Sequence, residues 1–83
     1  MLTIKILGPD CANYKRLEEI ARQSAAEMGA AAEFVKVADY QDILAYNILS
    51  TPGLVINEKL VSSGRIPAPS SVKAWIADAL KAA

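Results

Sequence analysis

The strongest constraint on the fold is a change of chain character, repeated twice in the first half of the sequence. Leu2 to Leu7 (LTIKIL) is apolar and β-branched, and it stops at Gly8-Pro9, a strong turn signal. From about Ala12 to Met28 the apolar and small residues recur at helical spacing: Tyr14, Leu17, Ala21, Ser24, Ala25 and Met28, with Ile20 on the same side. Gly29 then supplies a residue that tolerates the left-handed conformation at a helix end. Glu33 to Val37 (EFVKV) returns to strand character. A strand, a long helix and a second strand this close together predict a right-handed parallel βαβ unit.

The second half changes pattern. Asp39 is placed to cap a shorter helix in which Ile43, Leu44 and Ile48 face inward. Ser50-Thr51-Pro52-Gly53 breaks the chain just before a strand from Leu54 to Ile56. Asn57-Glu58 then forms a tight turn into a returning strand, Leu60 to Ser63, although it lacks the glycine that best fits a two-residue hairpin. Gly64-Arg65-Ile66-Pro67 leads to a last helix from Pro69 or Ser70, with Val72, Trp75, Ile76, Ala79 and Leu80 on one face. The order β-α-β-α-β-β-α predicts an α/β domain over residues 1–83, a mixed four-stranded sheet with helices on both faces. Trp75 reads as packing. Lys5 is unusual in a central strand and is expected near a sheet end or beside an acid such as Glu33.

Composition excludes several function classes. With 53% hydrophobic residues, the chain has the means to bury a core, as one domain. Nine basic and nine acidic residues cancel, and no basic stripe is present to neutralise phosphates, so no nucleic-acid partner is expected. No apolar run reaches the ~18–20 residues of a membrane span, and no signal-peptide pattern precedes the first strand, which together predict a soluble, cytoplasmic protein. The sequence has no histidine and one cysteine. That removes His-assisted nucleophiles, His metal sites and any disulfide framework; no metal and no cofactor are expected. What remains is thiol chemistry, or none.

Cys11 falls in the turn between the first strand and the first helix. Unpaired N–H groups and the helix dipole at such a position favour a thiolate over a thiol. Lys15 adds positive potential together with Arg16, while Asp10 opposes it. The competing reading is a small residue tucked under a loop, since free cysteine is among the most buried residue types. Tyr14 either offers its hydroxyl to the thiol or a substrate, or simply begins the core-facing stripe of the helix. Thr51-Pro52 either carries a cis bond or opens a strand, where proline is tolerated.

The segments Gly8-Pro9-Asp10-Cys11-Ala12-Asn13-Tyr14-Lys15-Arg16-Leu17-Glu18, Ser50 to Asn57 (STPGLVIN) and Lys59 to Pro67 (KLVSSGRIP) together resemble the small thioredoxin-like, glutaredoxin-like redox-active disulfide proteins. The resemblance runs in register along nearly the whole chain. It implies a thioredoxin-like fold, Cys11 as the catalytic thiol, and Pro52 as a cis-proline facing the active-site turn. It also implies that Thr51, just before that proline, offers backbone groups to an extended substrate segment.

The chain departs from that family at one position. Where the family carries the second cysteine of a Cys-x-x-Cys motif, Tyr14 stands, so no internal disulfide can form within these 83 residues. The expected function is therefore monothiol exchange through Cys11, with a protein or small-molecule thiol such as glutathione as partner. The alternative is a thioredoxin-fold binding module that has lost dithiol activity. A dimer linked through two Cys11 side chains is a third use of a single thiol.

Overall fold

A computed structural model describes residues 2–9, 11–48 and 50–82. It contains β1 (Leu2–Leu7), α1 (Ala12–Glu27), β2 (Ala32–Val37), α2 (Tyr40–Leu44), β3 (Gly53–Ile56), β4 (Lys59–Ser63) and α3 (Pro69–Ala82). The four strands form one sheet in the order β2-β1-β3-β4. β1 runs parallel to β2, whereas β3 is antiparallel to both β1 and β4. The first half of the chain therefore forms the parallel βαβ unit, and the second half adds a hairpin to its free side.

Strand alternation divides the core in two. Leu2, Ile4 and Ile6 of β1, with Leu54 and Ile56 of β3, meet Tyr14, Leu17, Ala21 and Ala25 of α1 and Val72 and Ile76 of α3. Leu7 and Val55 point to the other face, where Ile43 of α2 and Ile48 cover them. β1 and β3 are thus buried on both faces, which explains their nearly unbroken apolar sequence. Among the described residues, no helix is long and apolar enough to cross a membrane.

Two positions on the expected apolar faces lie outside the core. Leu44 and Leu80 are 46% and 45% exposed. α2 has only five residues, of which Ile43 alone is buried over Leu7 and Val55, and Ile48 joins it from beyond the helix. Leu80 lies in the last turn of α3, which ends at Ala82.

Lys5 has an acidic partner, as expected, but a different acid from the one named. It sits within β1 on the α2 face, and its ammonium donates to the Tyr46 hydroxyl at 2.8 Å and pairs with Glu58, not Glu33. Glu33 neighbours Thr3 in the β1–β2 register, so a different strand position faces Lys5. The Tyr46 ring lies 5.5 Å from the Lys5 nitrogen, and its hydroxyl is 3.3 Å from a Glu58 oxygen. This arrangement pushes the Lys5 amine up and holds the Glu58 carboxyl below the usual carboxylate range, in each case chiefly through their mutual hydrogen bond.

The hairpin that carries Glu58 turns through two left-handed residues, Asn57 (φ 50°) and Glu58 (φ 67°). Such a turn matches the twist of the flanking strands, and asparagine suits it. Asn57 is further anchored to β1: its backbone N–H donates to the Thr3 carbonyl at 2.8 Å, and its side-chain oxygen accepts from the Thr3 N–H at 2.9 Å.

Candidate functional site

The site candidates gather where the C-terminal end of β1 meets the N-terminal end of β3. Leu7 is paired with Gly53, so Gly8, which follows the one, lies beside Pro52, which precedes the other. Gly8 has φ 144°, a conformation that L side chains rarely adopt. A Cβ there would stand 3.3 Å from Thr51 Cβ and 3.5 Å from Pro52 Cα. Glycine is thus required twice over, by its dihedral angle and by the close approach of the second loop. The Thr51–Pro52 peptide bond is cis. The Pro52 carbonyl accepts a hydrogen bond from the Gly64 N–H at 2.9 Å, and Gly64 itself has φ 75°. The loop is therefore held from both sides, by the β1–α1 turn and by the chain leaving β4.

Cys11 is the N-cap of α1, with extended backbone angles (φ −117°, ψ 177°). Its thiol makes no capping hydrogen bond and the residue is exposed. Its carbonyl accepts the N–H of Lys15 at 3.0 Å, so the helix begins immediately behind the sulfur. No acidic side chain occupies the first turn of α1. Lys15 and Arg16 are both exposed on that turn. Asp10 lies outside the described residues.

Thr51 is exposed and Pro52 buried. Tyr14 goes elsewhere. It is 2% exposed and belongs to the core under α1, and the Lys36 ammonium of β2 lies 5.2 Å from its ring centroid. The fold thus brings the Cys11 turn and the Thr51–Pro52 loop to one end of the sheet and sends the Tyr14 ring into the core. From the sequence Gly8 reads only as a turn residue. Its place between a strand end and a proline was the available signal, but the loop it contacts is far along the chain. Among the described residues, no group of three or more His, Cys, Asp or Glu side chains is positioned to hold a metal ion.

The sequence is similar to known proteins along most of its length. A family model described as a thioredoxin domain matches residues 2–77. A thioredoxin from Methanothermobacter thermautotrophicus is 36% identical over 73 residues, spanning 88% of this chain and 95% of its own length. A thioredoxin from Methanocaldococcus jannaschii is 32% identical over 73 residues, 88% of this chain and 84% of its own. With its mixed four-stranded sheet, its exposed N-cap cysteine and its Thr51–Pro52 loop, the chain belongs to the thioredoxin domain family.

Proposed function

We propose that this thioredoxin-like redox protein works by monothiol exchange at Cys11. The Cys11 thiolate attacks one sulfur of a partner disulfide; that S–S bond breaks, and the other sulfur leaves as a thiolate that takes a proton from water. The resulting mixed disulfide is resolved by an external thiol such as glutathione. Its thiolate attacks the partner sulfur, supplies the electron pair, and releases Cys11. The net products are the leaving thiol and a disulfide between the retained partner sulfur and the external thiol.

The observation that supports this reading is an exposed thiol that makes no capping hydrogen bond at the amino end of a 16-residue helix. Orphan N–H groups and the helix dipole there stabilise negative charge. In this reading the backbone of Thr51, beside Pro52, receives an extended partner segment, and Lys15 adds positive potential near the sulfur. The compartment that suits such a cycle is a reducing one, the cytoplasm. Oxidation leaves Cys11 only external partners, a small thiol or the same cysteine of a second copy.

The test is turnover of a glutathione mixed disulfide with glutathione as reductant, with mass analysis of the trapped protein. A Cys11–glutathione adduct and saturable turnover, both absent from Cys11→Ser, are the expected results. A thiol that alkylates freely but gives no rate above the uncatalysed exchange would favour a binding module instead. That second reading has one specific feature in its favour, the single cysteine of the chain.

A further inference from the structure

A groove runs beside the edge strand β4, with α3 as its other wall, and Cys11 does not line it. A bulge shapes it. Leu54 pairs with Ser62 and Val55 with Leu60, so Val61 is the extra residue. One extra residue breaks the strand's alternation. Val61 packs on the α1–α3 side with Trp75 and Ala79 and lines a hollow together with its neighbour Ser62, while Leu60 packs on the other face.

Val61 and Trp75 line two adjoining hollows. The one toward the β3–β4 turn, about 190 Å³, is apolar at its base (Ile56, Val61, Trp75, Ala79), with Lys59 and Asp78 at its rim. The other, about 470 Å³, is lined by Ser62, Ser63, Ser71 and Arg65 and by no carboxylate. Neither Arg65 nor Lys59 has an ion-pair partner among the described residues.

We propose that this groove docks an extended acidic segment of a partner polypeptide, an interaction separate from thiol exchange at Cys11. A large apolar side chain fills the smaller hollow, and a carboxylate two residues away lies over Arg65. Side chains two apart on an extended chain share a face, so one segment reads both hollows. The charges select its sign, because two unpaired cations outnumber Asp78 along the groove.

The same features argue against a second copy as the occupant. A second copy seated here about a two-fold axis would set the same patch, with Lys59 and Arg65, against itself, like against like.

Trp75 is the only tryptophan of the chain, so its fluorescence reports occupancy of the groove. The probe is the peptide acetyl-Glu-Ser-Phe-Ser-Glu-amide, whose symmetric pattern fits either strand direction. We expect a saturable change in Trp75 emission. Affinity should fall roughly tenfold or more when Phe is replaced by Ala, or both Glu by Lys. Arg65→Glu should reverse the preference between the Glu and Lys peptides, and Cys11→Ser should bind as the parent chain does. The Cys11→Ser measurement separates this proposal from the redox reading, since that variant has no exchange activity to lose. No saturable change at millimolar peptide, equal affinity for the Glu and Lys peptides, or an unchanged ranking in Arg65→Glu would overturn the proposal. So would sedimentation showing a dimer that Arg65→Glu dissociates.

Discussion

At Gly8 a single hydrogen atom in place of a methyl group sets the distance between two loops. Its φ of 144° and the 3.3 Å approach of Thr51 Cβ leave no room for alanine without movement of the Thr51–Pro52 loop. Gly8→Ala should lower stability by about 1–3 kcal/mol. If exchange uses both loops, it should also slow turnover by more than it slows alkylation of Cys11, which depends on the sulfur alone. Paired measurement of the two rates checks this. Asn57 is the counterpart at the other end of the sheet. Its side chain and backbone both bond Thr3, and Asn57→Ala should cost ~1–2 kcal/mol in denaturant unfolding.

At the scale of the element, α1 has an unusual beginning. Cysteine is a poor N-cap, and no side chain satisfies the first N–H groups of this helix from that position. Serine is among the preferred caps. Cys11→Ser should therefore raise stability by about 0.5–1 kcal/mol while removing thiol exchange; a loss of stability would mean that the sulfur has a structural role. Tyr14 occupies the same helix one turn later but belongs to the core. Replacing it with cysteine should destabilise the reduced chain by ~3 kcal/mol through the space left behind. It should also create an internal disulfide with Cys11 under mild oxidation, seen as the loss of both free thiols. Two thiols that stay free would contradict the turn geometry. α2 shows the limit of a short helix. With five residues it commits one side chain, Ile43, to the core and leaves Tyr40 71% exposed.

Across the whole molecule, two side-chain clusters tie together elements distant in the chain. Lys5, Tyr46 and Glu58 join β1, the chain after α2, and the β3–β4 turn. Lys73 and Glu27 join α3 to the end of α1. Both carboxyls are held below their usual value of 4.5, mainly by hydrogen bonds from the paired lysines. The folded chain therefore binds fewer protons than the unfolded chain as pH falls past 4.5. Their stabilisation is present above the unfolded value and is lost as pH falls through the lowered folded values. The raised Lys5 amine acts in the opposite direction, contributing fully below its unfolded value of 10.5 and losing that contribution only in strong alkali. Denaturant midpoints at pH 7 and pH 3 should show a smaller drop in Glu58→Gln than in the parent chain. An equal drop would mean that Glu58 is already paired in the unfolded ensemble.

What could be read along the chain was what neighbouring residues determine together. β1 ends at Leu7 because Gly8-Pro9 follows, α1 begins at Ala12 and carries its stripe through Ala25, and Asp39 caps α2 by accepting the Gln41 N–H. These are local backbone preferences and periodicities, and a short window contains all of their causes. The turn containing Cys11 was legible for the same reason, and the likeness of its flanking segments to the thioredoxin-like family extended that reading to the fold.

The rest depended on register. That Lys5 faces Glu58 and not Glu33, that Gly8 lies against Thr51, and that Val61 turns toward α3 all follow from which strand lies beside which. Tyr14 had two roles open to it until the packing of α1 on the sheet sent its ring inward. The inward face of a helix is visible in its period, but how fully each position on it is covered is not, and so Leu44 and Leu80 are left 46% and 45% exposed. Pairing and coverage are settled by the burial of both faces of the sheet at once, a condition on the whole chain that no local stretch of sequence contains.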